Sequence, residues 1–261
     1  MDHHNNLFFY PVLRMKIALV FSGQPRFIKE YLIYQLNQFF FLSKYECHVY
    51  AHFWFSEDEN QKYTTHPWAH LNNLRFDKDT IDVFTQLYAP RKIAYDKPLT
   101  TEELVKRDYP KPQKMDRLNL ILSYLTSLKK AYDLIDNAEQ YDFIIRMRTD
   151  ILICRLPDLH SLSKEHLYLF DQRQGVDTQN ISDCFYITPP KYAKLLFHQL
   201  DSLDTLYDMG CIIDEGGENV LEKQLEVNNL YQHSMLLDKK DFYYRLQRNG
   251  TTVHGLIGAQ D

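Results

Sequence analysis

The chain has 261 residues, 44% hydrophobic and 25% charged, which is the make-up of a globular protein long enough to bury one large core. Its formal net charge is −5 with no long basic block, so a nucleic-acid partner is not expected. No apolar run reaches the roughly 18 residues a bilayer-spanning helix needs, so any membrane contact is expected to be peripheral.

In chain order, residues 1–14 (MDHHNNLFFYPVLR) lack the basic start and apolar stretch of a signal peptide and read as an N-terminal extension. Residues 15–261 read as a single domain. KIALVFS (16–22) is a short apolar strand, GQPR is a turn, and 27–42 reads as a helix, the opening of an α/β unit. CHVYAHFWF (47–55) is the next strand, and the polar stretch 56–73, with EDEN near its start, is a surface loop. A helix over 79–88 and a strand over 91–96 follow. YPKPQK (109–114) is a Pro-rich connector. Leu118, Ile121, Leu122, Leu125 and Leu128 share helical spacing, which predicts a helix over about 115–138 with one face on the sheet. Strands are expected at 142–148, 166–170 and 184–188, and helices at 189–203 and 218–230. FYYRLQR and TTVHGLI close the chain. Strands alternating with helices, then shorter strands in pairs, predict an α/β fold: a mostly parallel sheet with helices on both faces and a small antiparallel addition. Cys47, Cys154, Cys184 and Cys211 are widely spaced, the pattern of reduced thiols in a cytoplasmic protein.

The stretch YDFIIRMRTDILI (141–153) carries the chemistry. Arg146, Arg148 and Asp150 fall on alternate positions, so they share one side if the strand continues to 150. In open α/β sheets ligands sit outside the carboxyl ends of the strands. Two guanidinium groups there suit a phosphate, and a carboxylate among them suits Mg2+ or Mn2+ bridging phosphates. An ion-pair network capping the strand is the alternative reading of the same residues. Gly23 permits positive φ or a close backbone approach, and Arg26 opens the following helix, where N–H groups favour anions. SGQPR is neither a Walker A loop nor GxGxxG, and it also reads as a plain strand-to-helix turn.

The segments KIALVFSGQPR, VYAHFWF, NLILSYLTSLKKAYDL, YDFIIRMRTDI and ISDCFYIT occur in that order. The series resembles small GT-A-type nucleotide-sugar glycosyltransferases of bacterial surface-polysaccharide clusters and of the glycan genes of large DNA viruses. The resemblance runs from Lys16 to about Arg248. It implies a GT-A-like, Rossmann-like catalytic domain that moves a sugar from a nucleotide-diphosphate sugar to a hydroxyl of a glycan or similar acceptor. It implies that Gly23 and Arg26 lie against the nucleotide and its phosphates. His52 and Trp54 would end the second strand near the base or the cleft wall, and Asn119 and Ser123 would face the cleft from the long helix. Arg146 and Arg148 would face the diphosphate. Asp150 takes the last position of an Asp-x-Asp metal motif whose first acid is here Arg148, and His254 is the late histidine that would share the metal. Asp183 and Glu218 are implied on the acceptor side.

An inverting transfer needs a carboxylate to take the acceptor proton, and Asp183, Glu218 and Glu215 are the candidates. Each also reads structurally: Asp183 as a turn cap or ion-pair member, Glu218 as an acid stabilised in a first helical turn. Arg245 and Arg248 either reach the phosphates or lie on a solvated face. A nucleotide- or glycan-binding module without catalysis is one alternative. Another is a different phosphate-handling α/β enzyme such as a nucleotidyltransferase, with Asp158 as the one nearby second acid.

Overall fold

The strand KIALVFSG is buried from Ile17 to Gly23. A strand covered on both faces needs apolar side chains on both, so it reads as a continuous apolar run and not as an alternation. Around it the computed structural model describes residues 14–29, 32, 35–36, 42–55, 61–62, 75–76, 78–97, 115–171, 181–211, 216–238, 240–248 and 251–254. In chain order the strands are β1 (Lys16–Gly23), β2 (Glu46–Trp54), the two-residue β3 (Gln61–Lys62) and β4 (Arg75–Phe76), β5 (Lys92–Asp96) and β6 (Phe143–Met147). Then come β7 (Ile151–Arg155), β8 (Leu167–Asp171), β9 (Ile181–Thr188), β10 (Ser234–Leu237), β11 (Tyr243–Arg248) and β12 (Thr251–His254). The described helices are α1 (Lys78–Tyr88), α2 (Met115–Asp133), α3 (Pro190–Phe197), α4 (Leu203–Asp208) and α5 (Gly217–Val227).

A seven-stranded sheet runs in the order β10-β8-β9-β6-β1-β2-β5. Only β9 runs against its neighbours; the other pairings in this sheet are parallel. The carboxyl ends of β1, β2, β5 and β6 therefore share one edge, and β9 begins there. A separate antiparallel sheet, β12-β11-β7, is the expected small addition. Alternate residues of β1 serve the two faces. Ile17, Leu19 and Phe21 lie in the cluster of Phe84 and Tyr88 of α1, while Ala18 and Val20 lie in the cluster of Leu128 and Ala131 of α2. Helices thus cover both faces.

The differences from expectation have local causes. The strand expected over 142–148 ends at Met147, where its pairing with β1 and β9 stops. Beyond it the Thr149 carbonyl accepts from Gln35 Nε2 at 2.8 Å, and Thr149 Oγ1 donates to the Gln24 carbonyl at 3.2 Å. These bonds replace the ladder, and the chain changes sheets: β7 pairs with β11, Ile151 opposite Leu246. The strand expected at 184–188 begins three residues earlier, at Ile181, and so includes Asp183. The helix expected to 138 stops at Asp133; the Asn137 side chain then accepts the Glu139 N–H and opens a 3-10 turn over Ala138–Gln140. The helix expected over 189–203 breaks at His198 into α3, a 3-10 turn over Gln199–Ser202, and α4. The helix expected over 27–42 lies mostly outside the described residues; Phe27 stands in a turn at φ 58. Residues 1–13, the EDEN segment, the 109–114 connector and Glu215 are also outside them. Among the described residues no helix is long and apolar enough to cross a membrane.

Phe84 anchors α1. Its ring packs edge-on against Phe21 at 5.2 Å and Phe53 at 4.8 Å, and it is 0% exposed. Phe84→Ala is expected to cost about 3–5 kcal/mol. A urea titration checks this as a lowered midpoint at unchanged slope.

Candidate functional site

The joint between the two sheets is the three-residue turn Arg148-Thr149-Asp150. Its bonds to Gln24 and Gln35 pull Asp150 inward, and the side chain is 1% exposed. A carboxylate so buried requires paired charge. Arg148 supplies it through two parallel bonds: Nε donates to Oδ1 at 2.8 Å and Nη2 donates to Oδ2. Arg26, 124 residues earlier, adds Nη1 at 3.4 Å from Oδ2. Arg26 is aimed by a 2.5 Å bond from Nε to Gln24 Oε1. Burial opposes the charge on Arg148, but the facing Asp150 outweighs it and holds the guanidinium charged, well above its usual range.

Arg148 also reaches the start of β9. Its Nη1 donates to Cys184 Sγ at 3.1 Å and lies 3.8 Å from Asp183 Oδ1. The strand is irregular here: Leu169 faces Tyr186 and Asp171 faces Ile181, so β8 advances two residues while β9 advances five. The bulge carries Ser182, Asp183 and Cys184, and it places the Asp183 carboxylate against the N-terminal end of α5. Gly217 opens that helix because nothing larger fits: a Cβ there would stand 2.6 Å from Asp183 Oδ2 and 2.9 Å from Tyr124 Cε1. Arg146 lies beneath. It is 0% exposed, donates Nη1 to the Cys184 carbonyl at 2.8 Å, and stands over the Tyr124 ring at 5.4 Å. Burial pushes the Cys184 thiol up to about 12, so it sits in the site as a neutral S–H.

A second network holds the β1 turn. Gly23 adopts φ +100, a conformation that L side chains rarely take. Its N–H donates to Ser127 Oγ at 2.8 Å, and Ser127 Oγ donates to the His52 carbonyl at 2.8 Å. His52 Nδ1 lies 3.0 Å from the same hydroxyl, and Nε2 lies 2.8 Å from Asp96 Oδ2. Lys130 holds Asp96 from outside. Ser127 thus ties β1, β2 and α2 together at the carboxyl edge. Burial drives the His52 ring below its ordinary range, despite the bond to Asp96 that favours the charged form.

Of the residues expected from the sequence, Arg26, Arg148, Asp150 and Asp183 come together, with Arg146 behind them. Glu218 follows Gly217 in the first turn of α5, half-buried, beside Asp183. Gly23 heads the neighbouring turn. His52 and Trp54 end β2 and are 2% and 5% exposed; Ser123 is 3% exposed on α2. The backbones of Asn119 and His254 lie in α2 and β12, but their side chains are outside the described residues, as are those of Arg245 and Arg248. Asp158 caps the 3-10 turn at Leu159–Ser161 and bonds Tyr45. Ser127 and Gln35 were missed. Ser127 falls one helical turn beyond Ser123, and that spacing was the available signal.

The expectation of Mn2+ or Mg2+ on Asp150 and His254 can be tested against the donors on Asp150. Both of its oxygens accept from guanidinium groups, and among the described residues no three His, Cys, Asp or Glu side chains gather as a metal site. The described donor set does not fit a divalent ion.

No protein-family model matches the chain, and no curated protein matches it. Among solved structures, an active-site mutant of LgtC aligns over 87% of this chain and 74% of its own, at 10% identity and TM-score 0.42. A glycosyltransferase involved in glycosylation of the major capsid of PBCV-1 aligns over 85% and 82%, at 10% identity and TM-score 0.34. Mouse xyloside xylosyltransferase 1 aligns over 88% and 86%, at 10% identity and TM-score 0.40. At these values the likeness carries no argument about the chemistry of this chain, which rests on the site itself.

Gly217→Ala is expected to destabilise the protein by about 1–3 kcal/mol through overpacking against Asp183. The cost falls in an Asp183→Ala background, read as coupling in a double-mutant cycle of melting curves. The depressed His52 ring binds its proton less readily folded than unfolded. Stability is therefore expected to be full above the ordinary value of about 6.5 and to decline as pH falls below it. His48 shifts in the same direction, so His52→Gln should flatten this slope only in part, as followed by thermal melts from pH 7.5 to 5.

Proposed function

We propose that the protein is a glycosyltransferase that moves a sugar from a nucleotide-diphosphate sugar to a hydroxyl of a glycan or similar acceptor. The observation that carries this reading is the convergence of Arg26 and Arg148 on Asp150 at the carboxyl end of β6, beside the positive-φ turn at Gly23. Ligands of open α/β sheets bind at this edge. Paired guanidiniums recognise phosphate oxygens, and the ordered sequence segments resemble nucleotide-sugar enzymes.

In such a transfer the bond from the sugar's anomeric carbon to the diphosphate oxygen breaks, and the acceptor oxygen bonds to that carbon. Negative charge grows on the departing diphosphate, and fixed positive groups there stabilise the transition state more than the ground state. Arg26 and Arg148 fill this role in the proposal, and Gly23 lets the backbone approach the nucleotide. The acceptor hydroxyl loses a proton. Asp183 and Glu218, together at the first turn of α5, are the carboxylates proposed to face the acceptor, and one of them takes that proton if configuration inverts. No step is assigned to a divalent ion. A cytoplasmic location belongs to the same reading.

A calorimetric titration with UDP-, GDP-, CDP- and dTDP-linked sugars tests it. One donor is expected to bind, with Arg26→Ala and Arg148→Ala each weakening it by about tenfold or more, the scale of a charge-assisted hydrogen bond. Donor consumption should rise when the acceptor is added. Binding with no turnover of any donor would point to a non-catalytic binding module, and no binding at all would defeat the proposal.

A further inference from the structure

We propose that the cation opposite the diphosphate is the protein's own: Arg26 and Arg148, aimed by Asp150, form a guanidinium clamp that binds a nucleoside diphosphate without a divalent ion. The inference rests on the nucleotide-sugar reading above and assigns Asp150 a positioning role in place of a metal-ligand role.

Three observations carry it. The first is the donor geometry. Asp150 is 1% exposed and its two oxygens are already engaged, Oδ1 by Arg148 Nε and Oδ2 by Arg148 Nη2 and Arg26 Nη1. A divalent ion on either oxygen would sit beside the positive charges of the guanidinium groups already bonded there. The second is charge. Arg26, Arg146 and Arg148 face Asp150, Asp183 and the nearby Glu218, three guanidiniums against three carboxylates, so the carboxyl edge of the sheet holds no excess of acid left for a divalent ion to neutralise. The position that would complete an acidic pair with Asp150 is itself the cation Arg148. The third is unspent donor capacity. A guanidinium carries five N–H groups. Arg148 directs Nε and Nη2 to Asp150 and Nη1 to Cys184, so one N–H remains on each terminal nitrogen. The side chain keeps 21% exposure, and Arg26 keeps 11%. Both arginines are fixed before any ligand arrives, Arg26 by Gln24 and Asp150, Arg148 by Asp150 and Cys184. Their planar forks therefore lose little freedom on binding phosphate oxygens.

The test uses the full chain and calorimetry with UDP, GDP, CDP and dTDP, in EDTA and in MnCl2 at matched ionic strength. Wild type, R148D, R148K and D150N are compared, with ligand-free melting curves alongside. The wild-type dissociation constant is expected to agree within about twofold between the two buffers, since a lost charge-assisted contact would show as about tenfold. D150N should weaken binding by about tenfold in both buffers, and R148K should not restore wild-type affinity, because an ammonium lacks the fork. R148D should lose affinity in EDTA and recover part of it in MnCl2, since two carboxylates then replace the clamp. Wild-type binding lost in EDTA and restored by MnCl2 would overturn the clamp and leave the nucleotide-sugar reading intact. Absence of nucleotide binding in both buffers would overturn both. Should the variants fail to fold, the wild-type comparison decides alone.

Discussion

A carboxylate cannot be buried without paying for its lost hydration in paired charge, and Asp150 imposes that condition on everything around it. It is 1% exposed at the point where the chain leaves one sheet for another. Its partners come from β6's own extension and from the turn after β1, so the ion group fixes the two strand ends relative to each other. The same guanidinium that satisfies Asp150 continues to Cys184 and approaches Asp183. The arrangement at the carboxyl edge is therefore one connected body of charge, and the roles proposed for its members follow from which donors the buried pairing leaves over.

The neighbouring turn is held in a different currency. The buried Ser127 hydroxyl links Gly23 to His52, His52 continues the chain to Asp96, and charge enters only at this outer end, in the Asp96 carboxylate and Lys130. Such a network specifies one geometry, because each member satisfies the next. One side of the site is thus positioned by ion pairing and the other by neutral hydrogen bonds, with β1 between them. The first should soften with salt more than the second, although burial limits the screening of both.

Much of the architecture was legible in the sequence. β1 announced itself through an apolar run and α2 through helical spacing, and the mostly parallel sheet with an antiparallel addition followed from the order of strands and helices. Arg148 and Asp150 could be named as candidates because charged residues at the end of an apolar strand are conspicuous; Arg26 was marked by its place at the opening of a helix, and Asp183 only by the resemblance of the ordered segments. The change of sheet after Met147 was not legible, since RMRTDILI alternates as smoothly as one strand would; only the bonds from Gln35 and to Gln24 break it. β10 went unread because SMLL is too short to carry a period. Ser127 was passed over because a serine on a helix looks alike whether it meets solvent or, as here, the N–H of a distant glycine. The break of the long segment at His198 depends on a backbone φ of −95 and ψ of 33 that residue types alone do not dictate.

The change of sheet also sets an order of events. β7 is completed by β11, whose residues Tyr243–Arg248 are made some ninety positions after Ile151. Chains emerge from the ribosome N-terminus first, at about 5–20 residues per second. The sheet pairs among β1, β2, β5 and β6 are available well before β11 exists. During synthesis the domain can therefore pair the parallel strands β1, β2, β5 and β6 of its main sheet while the Arg148–Asp150 joint still lacks the strand that anchors its far side. Maturation of the site waits for the translation of β11, and a nascent chain with a formed core need not yet be a chain that holds ligand.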